Sequence, residues 1–236
     1  MSVESLEFVE PFFSVKYVRG EKECAIGKRS IVFNLSRKPI RVNHQLLAFY
    51  RSAVFTNITI SDVDRCLVIE DFERNMDHEA LFEAIRKKWT LVYEATKIER
   101  HRGVELWRSE KVKLDDTEVN MCYAASIPLN VGLHRTHWGD RPFREVHTQI
   151  LGYGEMQQYR EQDLGTLYRA DPMAPGCTHE PMYDADCVYP WHQYETISKA
   201  IFMATEMQLS DEEYHNIQTR TGTPSAPGLA AKGESV

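Results

Sequence analysis

Phe13, Val15 and Tyr17 alternate with polar neighbours, a period of two that predicts a strand ending at the turn residue Gly20. Residues 31–35, Ile-Val-Phe-Asn-Leu, predict a second strand, stopped by polar residues before Pro39. From Asn43 the period lengthens. Leu46, Leu47, Tyr50 and Val54 fall at helical spacing, with Asn43 as N-cap. A second helix is expected where Leu81, Phe82, Ile85 and Trp89 form one apolar stripe, with Asp77 as its cap. Both stripes read as core packing.

After Gly103 the pattern returns to strands. Residues 104–107 and 112–114 are short apolar runs, Asp115-Asp116 makes a turn, and 119–133 is long and rich in β formers. Further short strands are expected at 145–151, 155–159, 165–168, 179–183 and 200–207, separated by glycine and proline. Short strands at such close intervals predict an antiparallel sandwich or barrel. Ser210 with Glu213 forms a capping-box pair that opens a last short helix, and the small, polar residues beyond it read as a disordered tail. The expected division is an N-terminal extension over 1–100 of strands and two helices packing on a barrel, the barrel over 101–209, and the helix with its tail over 210–236.

Composition narrows the function classes. A hydrophobic content of 42% in 236 residues supports a full core. A formal charge of −7 argues against a general nucleic-acid binder, since phosphate neutralisation needs a basic face. The five cysteines are widely spaced with no C-x-x-C pair, which fits reduced thiols and no zinc knuckle. The acidic start lacks the order of a secretion signal, and no apolar run is long enough for a membrane helix. The chain reads as soluble and cytoplasmic, without nucleic-acid or membrane partners.

Of nine histidines, five (His134, His137, His147, His179 and His192) lie between positions 134 and 192, far more than an even spread would place there. Imidazole is the commonest metal ligand and the commonest acid–base group near neutral pH. Strand alternation sends Glu145, His147 and Gln149 to one face, with Val146, Thr148 and Ile150 on the other. Facing inward, three such polar groups need partners, and a divalent cation is one that fits.

These residues resemble the motifs of the cupin superfamily. Glu145 is followed by six residues and then Gly152-Tyr153-Gly154, similar to the family's hairpin turn. Upstream, Gly132-Leu133-His134-Arg135-Thr136-His137 supplies two histidines, in His-x-x-His rather than His-x-His spacing. Pro175-Gly176-Cys177-Thr178-His179 is similar to the second motif, a tight turn launching a strand that starts on an inward histidine. The resemblance implies a mainly β, cupin-type double-stranded β-helix (jelly-roll barrel), with a few peripheral helices from the N-terminal extension, and a homodimer. It implies one divalent metal ion (Fe, Mn, Zn or Ni) held by His137, Glu145, His147 and His179. Only one of His134 and His137 is expected to face inward, His137 being favoured and His134 the fallback; Glu145, His147 or both complete the set.

The dense segment 189–195 reads either as a pocket rim or as an aromatic surface loop. As a rim, Trp191 or Tyr194 packs on substrate and His192 moves a proton. Glu145 is the other candidate proton shuttle. Gln149 and Arg135 are candidate substrate contacts; Arg144 and Arg169 read more simply as surface charges, and Cys177 as a small buried turn residue. The expected function is a metal-dependent enzyme of isomerase, epimerase or lyase type on a small polar metabolite, a sugar or organic acid, with the metal polarising a substrate oxygen. An Fe(II)-dependent dioxygenase and a non-catalytic small-ligand barrel are the alternatives.

Overall fold

The computed structural model describes residues 2–75, 79–135 and 142–221. The N-terminal part folds as seven strands: β1 (Ser2–Leu6), β2 (Ser14–Ile26), β3 (Ser30–Asn34), β4 (Ile40–Val42), β5 (Gln45–Leu47), β6 (Ser52–Phe55) and β7 (Ile58–Glu70). They form one antiparallel sheet in the order β1-β2-β7-β3-β6, with the β4–β5 hairpin attached to β7. Next come α1 (Glu79–Lys88), β8 (Thr90–Leu91), α2 (Val92–Thr96), β9 (Leu106–Arg108), β10 (Val112–Leu114) and β11 (Thr117–Ala124). The chain continues through β12 (Phe143–Leu151), β13 (Gly154–Tyr159), β14 (Leu167–Met173), β15 (Trp191–Thr196) and β16 (Ala200–Gln208), and ends in α3 (Asp211–Thr221).

The second sheet runs β12-β16-β11-β9-β8 and the third β14-β13-β15. Three single bridges complete them. Asn130 and His134 pair with Glu195 and His192 of β15, and Thr178 pairs with Thr148 of β12. Counting segments 130–134 and 176–179 as the second and sixth of eight strands, the two sheets run first-eighth-third-sixth and second-seventh-fourth-fifth. That order is a jelly roll, so the expected mainly β jelly-roll barrel is the fold.

The N-terminal sheet lies against the outer face of the β11–β16–β12 sheet. Val15, Tyr17, Ile31, Phe33, Leu67 and Ile69 share one core with Val119, Met121, Tyr123, Val146, Ile150, Ile201 and Met203. Each such side chain contributes on the order of 1.5–3 kcal/mol when fully removed from water. The stripe of α1, through Leu81 and Ile85 with Trp89, closes the same core, as its spacing predicts. Its expected cap Asp77 lies outside the described residues. The opposite face of the N-terminal sheet builds a second core of Val18, Val32, Ile60 and Val68 under the β4–β5 hairpin.

Several expectations change. No helix forms at 43–54. Asn43 takes φ 53° in the β4–β5 turn, and the Asn34 side-chain amide donates to the Lys38 and Leu47 carbonyls. Leu47 enters the second core and Tyr50 the first, while Leu46 is exposed. The apparent helical spacing therefore serves the two faces of one sheet. β2 also does not end at Gly20, which adopts φ 64° within the strand. The strand expected at 179–183 is absent beyond the Thr178 bridge, and Leu164–Thr166 is a 3-10 turn with β14 beginning at Leu167. The tail expected at 222–236 lies outside the described residues.

The capping box is present. The Ser210 hydroxyl accepts from the Glu213 N–H at 3.2 Å, and Glu213 Oε2 accepts from the Ser210 N–H at 3.0 Å. Glu213 also receives Arg37 and Arg144, tying α3 to the N-terminal part and to β12. Burial pushes its carboxyl up, but the Ser210 N–H and the two arginines outweigh this and hold it down at about 2. A depressed carboxylate adds stability in full above its ordinary value of 4.5 and loses it as pH falls toward 2. Glu213→Gln, which keeps the capping-box acceptor but loses the charge facing Arg37 and Arg144, should therefore flatten the acid limb of the stability–pH curve and cost about 1 kcal/mol at neutral pH. Urea denaturation between pH 2.5 and 7 measures both effects.

Candidate active site

Strand alternation that points apolar residues of β11, β12 and β16 at the N-terminal sheet points the other set inward. Register then stacks these inward residues in rows. Glu118, Glu206 and Glu145 form one row, Asn120, Ala204 and His147 the next, and Cys122, Phe202 and Gln149 a third. Ala204, the small centre of the middle row, leaves room between its polar neighbours. A cavity of about 220 Å³ opens there, below the roughly 300–1,000 Å³ of pockets for drug-sized ligands. From the facing sheet come Met156, His192 and Tyr194, with His134 beside them. The segment 96–111 adds Arg100, His101, Arg108 and Lys111.

Two histidine-bearing groups reach the cavity from opposite sheets. On β12, His147 Nε2 lies 3.4 Å from Glu145 Oε1, and both side chains are largely buried, at 14% and 12% exposure. The Nδ1 atom of His147 is buried and has no hydrogen-bond partner among the described residues. On the other side the His134 and His192 rings lie 4.3 Å apart, centroid to centroid. Nδ1 of His134 is 2.9 Å from the Gly132 carbonyl, and Nδ1 of His192 is 2.9 Å from that of Pro190. A carbonyl accepts only, so each neutral ring carries its proton on Nδ1 and its lone pair on Nε2. Tyr189 joins the two sides. Its hydroxyl accepts from the Glu145 N–H, donates to the Phe143 carbonyl, and its ring lies 5.6 Å from that of His192.

At the end of the cavity Lys111 binds Glu206 at 2.6 Å and Glu118 at 3.6 Å. Burial and the neighbouring Glu145 charge hold the Glu206 carboxyl above the usual carboxylate range, against the pull of Lys111. Two close-set buried carboxylates with different partners are the arrangement by which one fold separates proton donor from proton acceptor.

The structure brings Glu145, His147, His192 and Tyr194 together, with His134, the fallback, beside them. It does not bring in the rest. His179 turns along the edge of β12: its Nε2 accepts from the His147 N–H at 2.9 Å, and its Nδ1 lies 2.8 Å from the Glu180 carbonyl. In this geometry both ring nitrogens of the expected ligand lie within hydrogen-bond distance of backbone groups. Gln149 is fully buried: its amide N–H donates to the Leu151 carbonyl, and its oxygen accepts from the Tyr194 hydroxyl. Trp191 alternates to the outer side of β15, where exposed Arg135 covers its ring at 5.7 Å. Arg144 and Arg169 are ion-paired, and Cys177 is exposed rather than buried. His137 lies outside the described residues. Among the described residues, no group of three or more His, Cys, Asp or Glu side chains is placed to hold a metal ion. The described residues alone do not fit a complete metal centre.

Sequence reasoning missed Arg100, His101, Arg108 and Glu206. Glu206 carried a legible signal: a single carboxylate in an apolar strand, in phase with Phe202 and Ala204. Arg108 shares the phase of buried Leu106, opposite to Trp107. Arg100 and His101 lie in a turn, where no period marks a face.

The sequence matches no family model and no curated protein. Solved structures do match. A cupin 2 conserved barrel domain protein from Salinispora arenicola is 14% identical over 57% of this chain and 92% of its own, with a TM-score of 0.33. An RmlC-like cupin from Shewanella frigidimarina is 9% identical over 47% and 82%, with a TM-score of 0.30. An oxalate oxidase bound to the substrate analogue glycolate is 15% identical over 39% of this chain, with a TM-score of 0.28, and the match spans 42% of that protein's length. These likenesses concern the barrel and not its chemistry. The strand order above makes the chain a jelly-roll barrel, and no helix among its described residues is long and apolar enough to cross a membrane.

The role of His179 has a direct check. His179→Ala leaves the part-buried His147 N–H without its acceptor, which should cost about 1 kcal/mol in urea unfolding. An unchanged midpoint would show that the contact holds nothing.

Proposed function

We propose that this chain is an acid–base enzyme of isomerase, epimerase or lyase type, acting on a small polar metabolite, a sugar derivative or an organic acid, inside the barrel cavity. The observation that carries the reading is the Glu145–His147 pair, buried on one wall with the His134–His192 pair reaching the same space from the other sheet. Reactions of this type begin with removal of a proton from carbon and end with delivery of a proton elsewhere. Two proton-handling groups on opposite walls can serve the two ends of one substrate. Glu145 is the assigned base, with His147 beside it to hold or pass on the proton. His192, whose tautomer leaves Nε2 unprotonated, takes up or returns the proton on the far wall once charged. Tyr194 and Met156 line the wall between, excluding water from the exchange.

A second reading keeps a divalent ion, Fe, Mn, Zn or Ni, in the site. The unpartnered Nδ1 of His147 favours it, because a buried imidazole lone pair is a ready donor. Such an ion would polarise a substrate oxygen, and Glu145 and His147 would need His137 as a further donor. A ligand-binding barrel without catalysis is the reading that remains if no turnover is found.

The test uses NMR in D₂O with sugar acids, hydroxy acids and keto acids, following loss of carbon-bound proton signal. At least one acid should exchange with the wild type. Glu145→Gln and His147→Gln should each slow exchange by about 10²–10⁴-fold. Exchange at the wild-type rate in both variants would overturn the assignment. Activity should survive dialysis against a chelator; loss that a single metal restores would transfer the site to the second reading.

A further inference from the structure

Arg100 and Arg108 line the cavity, and among the described residues neither has a carboxylate within ion-pair distance. The neighbouring cation, Lys111, does, through Glu206 and Glu118. So do Arg37, Arg51, Arg65, Arg144, Arg169 and Arg220. A guanidinium removed from water without an anion is costly, so two in one cavity need a reason.

Arg100 is also held in place. Its Nη1 lies 2.5 Å from His101 Nε2, and His101 Nδ1 lies 3.2 Å from Thr96 Oγ1. The Thr96 hydroxyl donates to the Val92 carbonyl at 2.9 Å, so its oxygen accepts from the imidazole N–H. That fixes the tautomer with Nε2 as acceptor for Arg100. Burial, then the charges of Arg100 and Arg108, push His101 down to about 4 and keep it neutral in this part. Burial likewise lowers Arg100, partly countered by Glu145.

Charge sets the ligand class. Lys111 is taken up by Glu206 and Glu118. The two guanidiniums have no carboxylate within ion-pair distance among the described residues, and Arg100 feels only the more distant charge of Glu145, which leaves a place beside them for one further anion. We propose that Arg100 and Arg108 form the anchor for a single carboxylate of the substrate, with His101 as the positioning residue for Arg100. The proposal rests on the enzyme reading only for the word substrate; the anchor stands on the unpaired cations. It places specificity in the segment before the barrel strands, and restricts the metabolite to a monocarboxylic acid over neutral sugars and phosphate esters.

Calorimetry with D-glucuronate, D-gluconate, L-lactate and pyruvate, each beside a neutral or phosphorylated counterpart (methyl glucuronate, glucose, lactamide, glycerol 3-phosphate), tests this. At least one acid should bind about 10- to 100-fold more tightly than its neutral counterpart, as charge-assisted bonds imply. Arg100→Gln and Arg108→Gln should each reduce that ratio toward one. Arg100→Lys should retain part of it, and Arg135→Gln, on the exposed outer side, all of it. His101→Phe should weaken acid binding, whereas His101→Gln, which can still accept from Arg100, should largely restore it. Ratios within one protein are insensitive to partial loss of folded material. Binding by none of the acids, equal binding of acid and neutral forms, tighter binding of the phosphate ester, or an unchanged ratio in both Gln variants each overturns the anchor. Proton exchange in D₂O is read separately: an arginine-dependent ratio without exchange leaves the anchor standing and removes the enzyme.

Discussion

The outer face of the β11–β16–β12 sheet is buried under the N-terminal sheet, and this burial fixes the phase of every strand that lines the cavity. Val119, Met121, Tyr123, Val146, Ile150, Ile201 and Met203 have one place to go. Because side chains alternate strictly, Asn120, Glu145, His147 and Glu206 then have only the interior of the barrel. A slip of one residue in β12 would place Val146 in the cavity and His147 against Met203 of the apolar core. The N-terminal sheet is therefore part of the site's construction, although none of its residues lines the cavity.

That constraint explains why the fold was more legible than the site. β12 could be read from the alternation of Glu145, His147 and Gln149, and α1 from its single stripe. The jelly roll followed from short strands and two turns, at Gly152 and at Pro175-Gly176. Both glycines have positive φ, and a side chain at Gly152 would strike the Lys199 carbonyl. The segment 43–54 was illegible for a physical reason. Its apolar residues feed two cores on opposite faces of one sheet, and their summed spacing imitates a helix.

The candidate site was half legible. Spacing along a strand decides which way a side chain points, and it put Glu145 and His147 in the cavity. It does not decide what the ring then bonds to. His179 follows a tight turn, as the motif resemblance implied, yet lies where the edge of β12 offers a backbone N–H, and that donor takes its lone pair. Gln149 points inward too, but the Tyr194 hydroxyl and the Leu151 carbonyl occupy its amide. Among the arginines, those conspicuous in the histidine-rich segment are on the outside or paired. The two in the cavity come from a stretch with no motif.

The distribution of charge supports the proposed catalytic reading over binding alone. A pocket made only to hold an anion would be served by cations alone, and a carboxylate beside them weakens their hold. Here Glu145 opposes the guanidiniums, and Glu206 lies opposite it on the neighbouring strand, its carboxyl raised by burial and by Glu145 against the pull of Lys111. Placing an acid where a neighbouring carboxylate raises its proton affinity is unfavourable for the fold, since both must be desolvated. The arrangement is of use to a protein that must hold a proton near a bound anion and release it. On the proposed reading that proton is the one moved between carbon and a buried base, and the proposed anchor and the acid–base pairs would serve a single substrate.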